Sequence, residues 1–249
     1  MMGGNDQQAY DRGTSLFSPD GRIYQVEYAR EAVSRGAPSV GVRTADGVVF
    51  AAMSRPSSSL MEAESIEKLH KLDDHVGTAS AGHVADARKL IDLARRQSQG
   101  NRLRYGEPVG VETLTKFVTD HIQENTQRGG TRPYGAALLI GGIDDGEPRL
   151  FAADPSGTPN EWKATVIGGG RKEIQGHLEA EWHDDLSLDG GIELAIAALA
   201  AHEDDFESTD LAVATITDAD GYRTTPDETV ADAFDAAGVD GETDDETDE

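Results

Sequence analysis

Residues 10–36, YDRGTSLFSPDGRIYQVEYAREAVSRG, hold the reading that decides the fold. Ser18-Pro19-Asp20-Gly21 is turn chemistry, and Ser or Asp there offers a side-chain oxygen to the first free amides of a helix. Beyond the turn, Val26, Ala29 and Val33 recur at helical spacing, which predicts a short helix from Ile23 to Arg35 ending near Gly36.

Downstream, SVGVRT and VVFAAM flank Asp46-Gly47, the strongest short-range signal for a β-hairpin. A third strand is expected at about Val76 to Ala81. Two amphipathic helices follow, one with Ala87, Leu90, Ile91 and Ala94 on its inner face, the other with Leu114, Phe117, Val118 and Ile122. Strands resume at GAALLIGGI and PRLFAAD, turn at Asp154-Pro155-Ser156-Gly157, and continue through WKATVIG. Helical spacing returns with Ile174, Leu178 and Trp182, then with Ile192, Ala195, Ile196 and Leu199, before a last strand LAVATIT and a turn at Asp218 to Gly221. Strands, two helices, strands, two helices and a strand suit an α+β layered domain, with helices covering both faces of a paired-sheet core.

The chain has 249 residues, 47 acidic and 22 basic, for a net charge of −25. The charge is unevenly placed: residues 1–172 hold 21 basic and 22 acidic residues, whereas 173–249 hold one basic residue, Arg223, and 25 acidic ones. A surface of this sign repels phosphate, so nucleic acid and anionic lipid are not expected as partners. Only six of the 22 basic residues are lysine, a usage associated with salt-loving organisms. With no cysteine, disulfides, thiolate catalysis and cysteine metal sites are excluded. The seven histidines show no His-Glu-x-x-His spacing and no carboxylate-rich setting, so no metal or other cofactor is expected. The polar opening MMGGNDQQAY lacks the basic-then-apolar pattern of a secretory signal, and AALLIGGI is too short to span a bilayer, so a cytoplasmic location without membrane contact is expected. From about Asp235 the chain is Asp, Glu, Thr and Gly with few apolar residues, which predicts a disordered acidic tail at 235–249.

The 10–36 segment closely resembles the N-terminal signature of archaeal proteasome α-type subunits, and further matches run through SIEKLHKLDDHVG, ADARKLIDLAR, TQRGGTRPYGAALLIGGID and LFAADPSGT. The resemblance implies a four-layer αββα sandwich of the N-terminal-nucleophile hydrolase type. It divides the chain into a gate segment at 1–22, an α-type domain at 23–234 and the tail. In that family α subunits close into seven-membered rings at the ends of a barrel, and β subunits inside hold the catalytic threonine. The chain is then not an enzyme on its own. The α-type hallmark is an extra helix across the top of the sandwich, and Ile23–Arg35 is similar to it.

By the same likeness, Tyr10 and Asp11 meet Pro19 and Tyr28 of neighbouring subunits in the open gate. Lys68 matches the lysine that receives the C-terminal carboxylate of a hexameric activating ATPase, in a pocket that Gly36 and Gly82 line. A lysine ammonium suits a lone carboxylate, and a missing side chain lets a peptide approach the backbone. Taken alone, Lys68 reads as a solvated helix lysine, and Tyr28 as ordinary packing. The loop Thr126–Gly135 matches the narrow annulus through which unfolded chains pass, with Arg128, Gly129 and Gly130 at its tip. Tyrosines are often found at positions 125 and 128 in archaeal relatives; Asn125 and Arg128 stand here and make a more hydrated ring. Pro56 and His83 are smaller departures.

Two other classes compete. Gly13-Thr14 resembles a self-processing site of a catalytic β-type subunit, but the first lysine after it is Lys68, far too late for the lysine such a nucleophile needs. An acidic interaction protein explains the last third and not the front motif. Gly168-Gly169-Gly170 lacks both dinucleotide and P-loop spacing and reads as a tight turn, as do Asp73-Asp74.

Overall fold

The computed structural model describes residues 23–238 except 57, 59, 63, 64, 129, 204 and 205. Tyr10, Asp11, Thr14, Pro19, Gly129 and most of the acidic tail therefore lie outside the described residues.

Among the described residues, ten strands form two five-stranded antiparallel sheets. The first runs in the order β10 (Gly221–Thr224), β9 (Leu211–Thr217), β2 (Gly47–Met53), β1 (Ser39–Arg43), β8 (Ala164–Ile167). The second runs β3 (Leu69–Asp73), β4 (Val76–Gly82), β5 (Ala136–Asp144), β6 (Glu147–Ala153), β7 (Pro159–Glu161). Strand periodicity assigns each side chain to a layer. Val49, Ala51 and Met53 of β2 face one helical layer, while Val48 and Phe50 face the other sheet. In β5, Leu138 and Ile140 face helices and Ala137, Leu139 and Ile143 face the first sheet. The sheets meet closely enough that a Cβ on Gly141 would come within 2.8 Å of Val48 Cγ1.

Helices α2 (Val84–Tyr105) and α3 (Val111–Gln127) cover the second sheet through Ala87, Leu90, Ile91, Leu114, Val118 and Ile122. Phe117, expected on the inner stripe, is only half-buried. Thr115 and Thr119 are buried in its place, their hydroxyls bonded back to the carbonyls of Val111 (2.8 Å) and Thr115 (3.1 Å). Helices α4 (Arg171–Glu181), α5 (Leu188–Ala200) and α6 (Asp227–Ala236) cover the first sheet. The result is the expected αββα sandwich. Strands β3, β7 and β10 and helix α6 are additions to the sequence reading. LAVATIT is not the last element, and α6 continues to Ala236, past the expected start of the tail at 235. Phe234 holds α6 down by meeting Phe206 edge-on, with ring centroids 5.3 Å apart.

Helix α1 (Tyr24–Ser34) is too short to persist in water unaided. It buries Val26, Ala29 and Val33, and Val33 joins the layer between the sheets, so the helix closes one open end of the sandwich at β4 and β5. Arg30 fastens it from outside, donating from Nη2 (2.7 Å) and Nε (2.9 Å) to Asp154.

Candidate functional site

Where α1 ends, the chain passes β4 with backbone against backbone. A Cβ on Gly36 would lie 2.7 Å from the Gly82 amide nitrogen, and Gly82, at φ +98°, would drive any Cβ into the Gly135 carbonyl. Both positions therefore demand glycine. The seam is pinned on either side, with Gly169 N–H donating to Gly36 O (2.8 Å) and His83 N–H to Gly135 O (2.8 Å).

Beside this seam lies a cavity of about 490 Å³, lined among others by Gly36, Gly82, Met61, Glu67, Arg88 and Lys68. Lys68 sits in the lead into β3 and not on a helix, which corrects the solvated-helix reading. Its backbone carbonyl is held by the Ser80 amide (3.0 Å), and its Nζ donates to the carbonyls of Ala37 (2.6 Å) and Pro38 (3.0 Å). Burial pushes the Lys68 ammonium down to about 7, because two neutral carbonyls do not replace the water it loses. His70, at the same cavity, is also lowered by burial, and neighbouring Arg95 adds to the effect. The pocket thus holds a cation without a carboxylate partner among the described residues, next to backbone stripped of side chains. An anionic peptide terminus is the natural complement.

The expected annulus loop is built differently. Arg128 caps the end of α3 with its side chain 73% exposed and faces Glu124 at 3.9 Å. The loop behind it is tied down: Thr131 Oγ donates to Asn125 O (2.7 Å) and Arg128 O (2.8 Å), and Asn125 Nδ2 donates to Arg132 O (2.6 Å). Gly130 adopts φ +85°. The anchor is Asp86, buried under the loop. It accepts from Arg132 Nη1 (2.5 Å) and Nη2 (2.8 Å) and from the Gly135 amide (2.9 Å). Burial alone would raise the Asp86 carboxyl, but these donors outweigh it and hold it below the ordinary range. No sequence signal marks this pair, whose members are 46 residues apart.

Of the other expected site residues, Tyr28 lies half-exposed on α1. Gly168-Gly169-Gly170 is a turn into α4, and Asp73-Asp74 leads from β3 into its turn with β4, paired with Arg102 at 3.0 and 3.4 Å. Among the described residues no group of three or more His, Asp or Glu could hold a metal, and no helix is long and apolar enough to cross a membrane.

A family model described as proteasome subunit matches residues 33–216, and a second, for the N-terminal signature of A-type proteasome subunits, matches residues 10–32. The chain belongs to the proteasome subunit family, and its sandwich is that of the N-terminal-nucleophile hydrolases. Within the family it stands with the haloarchaeal α subunits. It is 64% identical over 248 residues to the proteasome alpha 2 subunit of Haloferax volcanii, covering 100% of this chain and 99% of that protein. It is 66% identical over 210 residues to the proteasome alpha 1 subunit of the same organism, covering 84% of this chain and 83% of the relative. The proteasome alpha subunit of Halobacterium salinarum is 62% identical over 220 residues, with 88% and 87% covered. Thr14 falls inside the α-type signature, which removes the β-type reading of Gly13-Thr14. The lysine-poor, acidic composition agrees with these salt-loving relatives.

Proposed function

We propose that this α-type subunit forms the outer seven-membered ring of a cytoplasmic proteasome core particle, guards substrate entry, and docks a hexameric ATPase through that enzyme's C-terminal tails. Lys68, between Gly36 and Gly82, receives the tail carboxylate. Tyr10, Asp11, Pro19 and Tyr28 form the gate. Arg128, Gly129 and Gly130 ring the channel through which unfolded chains pass to the β subunits. The subunit is structural and gating within a threonine-type protease and does no cutting itself.

The observation that carries this reading is the Lys68 ammonium, held by two neutral carbonyls inside a 490 Å³ cavity beside the glycine seam. An arriving carboxylate supplies the counter-charge, raises the depressed lysine and is held by a charge-assisted hydrogen bond. Docking then biases a two-state gate, because Ala37 and Pro38, to which Lys68 is bonded, are separated from the end of α1 by only two residues. The test is Lys68→Ala in reassembled particles. Activator-stimulated peptide turnover drops by about tenfold or more, the loss of one such bond, and unchanged stimulation rejects the pocket.

A further inference from the structure

The first turn of α2 serves two places at once. Val84, Ala87 and Arg88 form one wall of the Lys68 cavity. Asp86, in the same turn, carries the loop that follows α3 by accepting from both terminal nitrogens of Arg132 and from the Gly135 amide. His83, one residue ahead of α2, donates its N–H to the Gly135 carbonyl (2.8 Å), so both polar groups of Gly135 are fixed by the start of one helix. Gly135 in turn lies against the glycine seam and α1. A Cβ on Gly82 would come within 2.4 Å of Gly135 O and 3.2 Å of Val33 Cα, and a Cβ on Gly135 would meet that of Ala32 at 3.6 Å. The loop and the pocket therefore share one joint.

The two members of the ion pair at this joint are placed unequally. Asp86 is 2% exposed, whereas the Arg132 side chain is 60% exposed. A joint needed for stability alone is served as well by apolar packing, because desolvating a buried carboxylate consumes most of what its partner returns. What the pair adds is direction: a fork of two parallel N–H···O bonds fixes an angle as well as a distance.

On the footing that Lys68 is the docking point, we infer that Asp86 and Arg132 are positioning residues for docking: their clamp sets the α2 wall of the Lys68 pocket and makes tail binding there and the order of the loop at 131–135 depend on each other. Neither residue lines the cavity, and both act through the first turn of α2. A tail seated against Val84 and Ala87 steadies that turn and the loop clamped to it. By linkage, loosening the loop weakens the tail by the same factor.

The probe is a fluorescent heptapeptide copied from the C-terminus of the activating ATPase, titrated onto reassembled core particles and read by anisotropy, with its C-terminal amide as control. Arg132→Gln, which removes the fork at an exposed position, raises the dissociation constant about fivefold, the lower end for coupled sites, and keeps the amplitude at saturation. Asp86→Asn does the same, and the double variant costs no more than either alone, as members of one pair require. Arg132→Lys keeps the charge without the fork and gives an intermediate constant; as the mildest change it decides the matter where the others fail to assemble. Amide exchange across residues 131–136 slows when the peptide is added to the parent, and this slowing is lost in Arg132→Gln. Lys68→Ala distinguishes the two levels: intact peptide binding there rejects the pocket, and the clamp's role with it. Where Lys68→Ala abolishes binding, a dissociation constant indifferent to the clamp variants, a fall in amplitude at constant affinity, or loop exchange that ignores the peptide overturns the positioning role and leaves the pair a structural tie.

Discussion

Lys68 and Arg128 carry the same charge in opposite settings, and the difference shows what each is suited to do. Lys68 is half-buried, bonded at 2.6 and 3.0 Å to backbone carbonyls, with its ammonium pushed down by burial to about 7. Arg128 stands in water and faces one glutamate at 3.9 Å. A partly buried cation lacking a counter-charge gains more from a carboxylate that reaches it than an exposed one does, and salt screens such a contact less. An exposed arginine keeps its hydration and gains little from any single partner. One setting is open to an arriving counter-charge, the other is already satisfied by water.

The contrast can be broken or sharpened by substitution, the largest effect coming first. Asp86→Ala unseats Arg132 and strands the Gly135 amide behind Arg128, and denaturant unfolding should show a loss of about 2–3 kcal/mol, at the low end for buried pairs because Arg132 is partly hydrated. The enclosed partner of this pair makes its loop the stiff one, although its tip is exposed.

At Lys68 the pH dependence has a definite sign. A folded value near 7 against an ordinary 10.5 means the unfolded chain binds the extra proton between those limits. Lys68 therefore lowers stability below pH 7, and the handicap fades as pH rises toward 10.5. Lys68→Met raises the melting temperature at pH 6.5 relative to the parent, and the advantage vanishes by about pH 10. Docking runs the other way: activator-stimulated turnover should decline as pH rises above 7, and Lys68→Arg, which stays protonated, flattens that decline. Smallest is Arg128→Tyr, expected to change stability by no more than about 0.5 kcal/mol, as exposed sites usually do. Translocation of an unfolded substrate, read as degradation rate at constant small-peptide turnover, is the measurement that separates wet from apolar walls.

The sequence made the sandwich legible wherever local periodicity and turn chemistry coincided. Asp46-Gly47 sits where β1 and β2 turn, with Arg43 opposite Val48, and the stripes of α2 and α3 face their sheet as their spacing implies. Elements escaped where the pattern is weak. Edge strand β3, LHKLD, has one fully buried residue, β7 has three residues, and α6 rests on Val230 and Phe234 within an acidic stretch. Lys68 was singled out only by resemblance, and its setting was not legible, since nothing local announces that its ammonium meets Ala37 and Pro38, about thirty residues upstream. The pairing of Asp86 with Arg132 is a product of the tertiary fold and leaves no mark on spacing.

The glycine seam has a mechanical consequence. Side chains yield by changing rotamer, whereas two backbones in contact yield only by moving whole segments. Between Gly36 and Gly82 there is no such cushion, so a displacement imposed at Ala37 reaches the end of α1 without being absorbed on the way. The joint behaves as a rigid hinge plate: it transmits motion faithfully, and even one added methyl group would jam it.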